Sequence, residues 1–108
     1  MNEDRPLLDT VMEMTAASMA NSKLGGRELM LTRLAALAAV DAPPASYLLN
    51  MAAAVEAGLT LEDAQGVLIA VAPIIGTPRT VAATGAIAKA LGFALELEDA
   101  IEEAQAQG

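Results

Sequence analysis

A chain of 108 residues has room for one domain and a modest core, not for two. Fourteen acidic against six basic residues, a net charge of −8, repel phosphate backbones and argue against nucleic-acid binding. The absence of Cys and His removes disulfides, thiolate catalysis, Cys-based metal sites and the imidazole proton shuttle.

Hydrophobic residues make up 55% of the chain and aromatics only 2%, which leaves a small monomer with apolar surface to cover, so a homo-oligomer is expected. Apolar positions recur at helical spacing and strand-like alternation is scarce, which predicts an all-α fold, a compact bundle of five to six short helices. The first five residues are expected to fray. Pro6 then opens a first helix reaching to about Asn21, with Leu8, Val11, Met12, Thr15 and Met19 along one side. Lys23 to Gly26 break it. A second helix, Arg27 to about Val40, is apolar around most of its circumference, the pattern of a helix at the centre of a bundle. Asp41 to Pro44 turn the chain into a third helix, Ala45 to Ala57, which Gly58 closes in a left-handed conformation.

Thr60 and Asp63 have the spacing of a capping box, with Asp in place of the more usual Glu, and open a fourth helix. Pro73 is expected to kink or end that helix and Gly76 to cap it. Thr77 and Pro78 start a fifth helix that reaches Leu91 and stops at Gly92. Residues 93–108 carry Glu96, Glu98, Asp99, Glu102 and Glu103 with Leu97, Ile101 and Ala104 at helical spacing, either a short amphipathic helix or an acidic tail. No repeat or linker divides the chain, so residues 1–108 read as a single domain. The six Met residues, three of them in the first helix, are expected to fill irregular gaps in the core. MNEDRPLL has no basic region or apolar run of a secretory signal. The longest strongly apolar run, Val67 to Gly76, is about ten residues and contains Pro73, so no membrane span and a cytoplasmic location are expected.

GGRELMLTRLAALAAVDAPP begins with a charged Arg-Glu pair and turns apolar. AAAVEAGLTLEDAQGVLIAVAPIIGTPRTVAA holds a helix ending in Ala-Gly-Leu-Thr, an acidic residue soon after, an apolar helix, then Gly-x-Pro and an Ala-rich helix. In that order, over about residues 26–92, these motifs resemble the carboxymuconolactone decarboxylase family, which also includes the alkylhydroperoxidase D-like thiol peroxidases. The resemblance implies a bundle of short helices that assembles as a homo-trimer or homo-hexamer, with pockets near subunit contacts. It also implies where chemistry sits. The peroxidase branch carries two Cys and a His at positions that fall here on Pro43, Ser46 and Asn50, and the decarboxylase branch has a His where Asn50 stands. An Asn amide hydrogen-bonds but cannot exchange a proton near neutral pH, so the redox reading fails and the decarboxylase reading is weakened. Ile74 stands where many members carry an aromatic residue.

Several side chains have both a bland and a chemical reading. Glu28, in the first turn of the second helix, either interacts favourably with the helix N-terminus or faces a pocket near Asn50, where desolvation would make it a useful base. It is the best surviving proton carrier. Arg33, inside an apolar helix, must reach water, a carboxylate such as Glu28 or Glu56, a neighbouring subunit, or a ligand anion. Ser46 either helps the start of the third helix or positions a ligand, since a nucleophilic Ser lacks an adjacent base. Tyr47, the single Tyr, packs half-buried or donates a proton. Asn50, on the same stripe, hydrogen-bonds at an interface or orients a ligand. Arg79 beside Thr77 is either solvated or part of a small anion site. Glu98, Asp99, Glu102 and Glu103 either face solvent or hold a hard cation, without the loop such sites use. No cofactor is implied.

Two functional readings follow. In one, the chain keeps the oligomeric scaffold and a small-molecule pocket, open to an apolar ligand, without the family's conventional catalysis. In the other it is a cofactor-free, non-redox decarboxylase, lactone-processing enzyme or isomerase. There Glu28 moves a proton while Arg33, Ser46 and Asn50 position a small organic acid or lactone.

Overall fold

Local signals in the sequence decide most helix ends, and the computed structural model, which describes residues 5–107, follows them closely. Five helices succeed one another: α1 (Pro6–Asn21), α2 (Gly26–Ala39), α3 (Pro44–Glu56), α4 (Leu61–Ile75) and α5 (Thr77–Gln107). No strand occurs among the described residues, so the fold is all-α. The expected fraying of the first residues falls, for 1–4, outside the described residues. Pro6 and Pro44 occupy first-turn positions of α1 and α3, where a missing N–H costs nothing.

α3 closes as expected. Gly58 takes φ +83°, its N–H donates to the Val55 carbonyl, and the Leu59 N–H donates to the Ala54 carbonyl, each at 3.0 Å. α2 closes the same way without a glycine: Asp41 takes φ +56°, and the Ala42 N–H reaches the Leu37 carbonyl at 3.0 Å. Asp tolerates this left-handed conformation better than most residues. The capping box of α4 is formed in both directions. The Asp63 N–H donates to Thr60 Oγ1 at 3.2 Å, and the Thr60 N–H donates to Asp63 Oδ2 at 2.9 Å.

Of two expected interruptions, the first falls at Gly76 rather than at Pro73 itself, and the second, at Gly92, does not occur. Pro73 lies inside α4, which continues to Ile75; sitting in the last turn, it forfeits one backbone bond and has no further turns to disrupt. Gly76, at φ +90°, then ends α4 and starts α5, accepting from the Thr80 N–H at 3.1 Å. Gly92 does not stop α5, which runs unbroken for 31 residues. A glycine inside a helix costs only about 1 kcal/mol, and the flanking Ala, Leu and Glu residues are strong helix formers. The acidic segment is therefore helical through Gln107.

The continuous α5 also changes the membrane expectation, because Thr77–Ala106 is long and apolar enough to cross a bilayer by length and composition. Reading the chain as divided at Gly92 hid this. Two facts weigh against such a role: α5 packs on α2, α3 and α4, and its far half carries five carboxylates, which are costly in hydrocarbon.

α2 packs against α3, α4 and α5, as its all-round apolar pattern anticipated. The buried core is Leu29, Met30 and Ala38 of α2, Tyr47 of α3, Leu68 of α4, and Ala83 and Ala90 of α5. α1 buries none of its residues, and Met12, Met14 and Met19 are exposed. They do not fill the core as expected; Met30 alone is buried among the described Met residues. α1 is held to α2 through Arg33, which donates to Ser18 Oγ at 3.0 Å and to the Thr15 carbonyl at 3.4 Å.

The chain is more open than its size requires. Its 7569 Å² of accessible surface compares with about 5,600 Å² for a folded monomer of 11.0 kDa. Its radius of gyration of 15.5 Å compares with about 13 Å for a chain of this length.

At the joint between α2 and α4, the Arg27 guanidinium grips Asp63 with Nη2 to Oδ1 at 2.6 Å and Nη1 to Oδ2 at 3.1 Å. That hydrogen bond, helped by the Thr60 backbone N–H, holds the Asp63 carboxyl at about 2 against its ordinary 3.8. The folded value is the lower one, so the stability this carboxylate contributes is whole above 3.8 and is lost as pH falls towards 2. Urea unfolding followed from about pH 5 downward should therefore show a shallower acid decline for Asp63→Asn than for the parent chain, from a lower starting stability. Equal acid slopes would contradict the pairing.

A second check concerns Gly92, where an added Cβ meets open space. Gly92→Ala should raise stability by about 0.5–1 kcal/mol in thermal or urea unfolding, whereas a left-handed helix stop at this position would make the same change destabilising.

Candidate functional site

The apolar spacing of four helices leaves a half-open cavity of about 210 Å³. Met30, Leu34 and Leu37 form one stripe of α2, and Ile87 and Leu91 stand one turn apart on α5. α3 supplies Tyr47, Asn50 and Met51 from its inward side, while Leu61 and Ala64 of α4 close the remaining wall. No charged residue lines it among the described residues. A wider, more open groove of about 740 Å³ lies between α4 and α5, where the Thr80 and Thr84 hydroxyls donate to carbonyls of the preceding turn.

Three lining residues of the cavity are polar: Tyr47, Asn50 and Thr60. The Thr60 hydroxyl is engaged in the capping box. Asn50 donates through Nδ2 to the Ser46 carbonyl at 2.9 Å, which leaves its second amide N–H and its carbonyl oxygen without a partner among the described residues. Tyr47 is only 5% exposed, and its hydroxyl is shielded from water with no hydrogen-bond partner among the described residues. Burial, assisted by the charge of Asp41, pushes the phenol above its ordinary 10, so it stays protonated at neutral pH and acts as a donor.

Of the side chains singled out in the sequence, the structure brings Tyr47 and Asn50 together in one wall. It places the others elsewhere. Glu28 is exposed in the first turn of α2 and folds back over Gly25, where an added Cβ would sit 2.5 Å from its Oε2; it is not part of the lining. That is the helix N-terminus geometry. Arg33, half-buried, reaches α1 rather than a carboxylate. Ser46 meets the cavity only indirectly, through the carbonyl that holds Asn50, and its N–H bonds the Pro43 carbonyl at 3.0 Å. Arg79 donates to the Ala39 carbonyl at the end of α2. The C-terminal carboxylates form no group able to hold a metal ion among the described residues. Sequence reasoning passed over Met30, Leu34, Leu37, Ile87 and Leu91; their helical spacing was visible, but not which of their faces would leave a space.

The sequence model of the carboxymuconolactone decarboxylase family matches residues 5–89. The chain belongs to that family. The match takes in α1, which the resemblance over 26–92 did not reach, and ends on α5 at Lys89, before the acidic half of that helix. No curated protein and no solved structure matches the chain. Every residue lining the cavity except Leu91 lies within the span the family model matches.

The Tyr47 hydroxyl, unpaired among the described residues, offers a direct test of this arrangement. A buried polar group without a partner costs about 1–3 kcal/mol, so Tyr47→Phe should stabilise the unliganded protein by on the order of 1 kcal/mol in thermal or urea unfolding. A loss of stability would mean that the hydroxyl has a partner in solution.

Proposed function

We propose that this member of the carboxymuconolactone decarboxylase family serves as a homo-oligomeric scaffold around a small-molecule pocket, without thiol peroxidase chemistry and without the family's conventional catalysis. The observation that carries the reading is the composition of the cavity wall. Among the described residues it contains no carboxylate and no cation, and its one titratable side chain, Tyr47, is kept protonated by burial. A pocket without a base near neutral pH has nothing to take a proton from a substrate. Glu28, the best proton carrier in the sequence, is exposed at the start of α2. Without Cys, no thiolate is available as a nucleophile or redox centre.

Self-association is supported by the surface itself. The roughly 2,000 Å² beyond that of a typical monomer is on the scale of a permanent interface. Large apolar side chains are exposed on α1, with Leu7 77% and Met14 65% exposed, on the far half of α5 with Phe93, Leu95 and Leu97, at Ile69 beside the α4–α5 groove, and also at Val40, Leu49 and Val81. A trimer or hexamer would cover these faces and bring pockets close to subunit contacts.

A mass measurement in solution tests the assembly. Three or six times 11.0 kDa is expected, and the paired change Leu7→Glu and Met14→Glu, on one face of α1, should lower the mass without unfolding the protomer. A well-folded 11.0 kDa monomer in dilute solution would overturn the scaffold. Turnover of an organic acid or lactone that vanishes in Glu28→Gln would overturn the non-catalytic half of the reading.

A further inference from the structure

The wall of the cavity says more about its occupant than that it is apolar. Arg27 is paired with Asp63, Arg33 donates to Thr15 and Ser18, and Arg79 donates to the end of α2. None of the three lines the cavity, and neither does any other cation. A carboxylate entering would lose its hydration and find no counter-charge, in a chain whose net charge of −8 already repels it. An ammonium group fares no better, because none of the described carboxylates lines the wall either.

Polar capacity is nevertheless present, on a single side. Asn50 on α3 retains hydrogen-bonding groups that no described residue meets, whereas the Tyr47 hydroxyl, one helical turn away, is closed off even from water and is not open to the cavity. The Asn50 amide has one N–H and one carbonyl oxygen free. A carbonyl, ester or hydroxyl oxygen suits it, since it can accept from the amide N–H without carrying charge. In size, 210 Å³ has room for on the order of nine heavy atoms, judged against the dry cavities that hold benzene.

We infer that the cavity between α2, α3, α4 and α5 takes an uncharged, largely apolar molecule bearing one hydrogen-bonding oxygen, held by Asn50, and that it excludes carboxylates. The inference rests on the small-molecule pocket proposed above and names the class of its occupant. It goes against the expectation that Arg33 would bind the carboxylate of an organic acid.

Three probes of matched shape test it on the full-length protein: cyclohexyl methyl ketone, cyclohexanecarboxylate and isopropylcyclohexane. Binding is followed at neutral pH by NMR, reading the Asn50 side-chain amide and the Tyr47 ring. The ketone is expected to bind about tenfold or more tighter than the carboxylate and to shift the Asn50 amide, with the hydrocarbon several-fold weaker than the ketone. Asn50→Leu should bring the ketone close to the hydrocarbon, while Tyr47→Phe should leave the ketone's preference unchanged. The ketone-induced shift of the Asn50 amide in the parent chain serves if Asn50→Leu fails to fold. Carboxylate binding as tight as the ketone's overturns the charge exclusion and leaves the pocket itself standing. Equal affinity for ketone and hydrocarbon overturns the assignment of Asn50. Binding of none of the three, including the case where a second copy of the chain fills the space, overturns the inference together with the pocket.

Discussion

Small side chains at the helix crossings set the terms for the rest of this protein. Ala38 of α2 and Ala90 of α5 are completely buried and Ala83 nearly so, while no large side chain is fully buried among the described residues. Alanine lets backbones approach closely, yet each one removes little apolar area from water, and burial stabilises by only about 25 cal/mol per Å². The bundle therefore closes around a thin core. Leucines and methionines are pushed outward from the crossings, some to the cavity and many to the surface. An open cavity and an exposed helix α1 are two consequences of the same packing choice.

The helices were legible in the sequence because their signals are local. Pro44 at a first turn, Thr60 with Asp63, and Gly58 after α3 each satisfy backbone groups within a few residues, and such physics does not depend on the remainder of the fold. Gly92 was misleading for a related reason. A glycine permits a left-handed stop without requiring one, and the helix-forming residues after it carry α5 onward. Burial was less legible than helicity. α1 has an apolar side, but a periodic stripe does not say whether its partner lies within the chain.

The candidate site divides along the same line. Tyr47 and Asn50 were found because i, i+3 spacing on α3 fixes their common side whatever surrounds them. Glu28 and Arg33 belong to α2, whose apolar residues run around most of its circumference, so the pattern leaves the rotation of that helix open. Once α2 settles between α3, α4 and α5, Met30, Leu34 and Leu37 face the cavity, whereas Glu28 and Arg33 do not line it. Ser46, one residue before Tyr47, is turned by about 100° around α3 and contributes a carbonyl rather than its hydroxyl.

Charge completes the account. With 14 acidic residues to six basic ones, positive groups are scarce, and the three guanidiniums of the helical body all sit at joints. Arg27 ties α2 to α4, Arg33 ties α2 to α1, and Arg79 ties α5 to the last turn of α2. Arg33 and Arg79 meet backbone carbonyls, which a planar, multi-donor side chain does well without needing a buried counter-ion. The joints of an acidic chain are thus held by the very groups that an anion-binding pocket would need. The neutrality of the cavity wall follows from the way the fold is fastened.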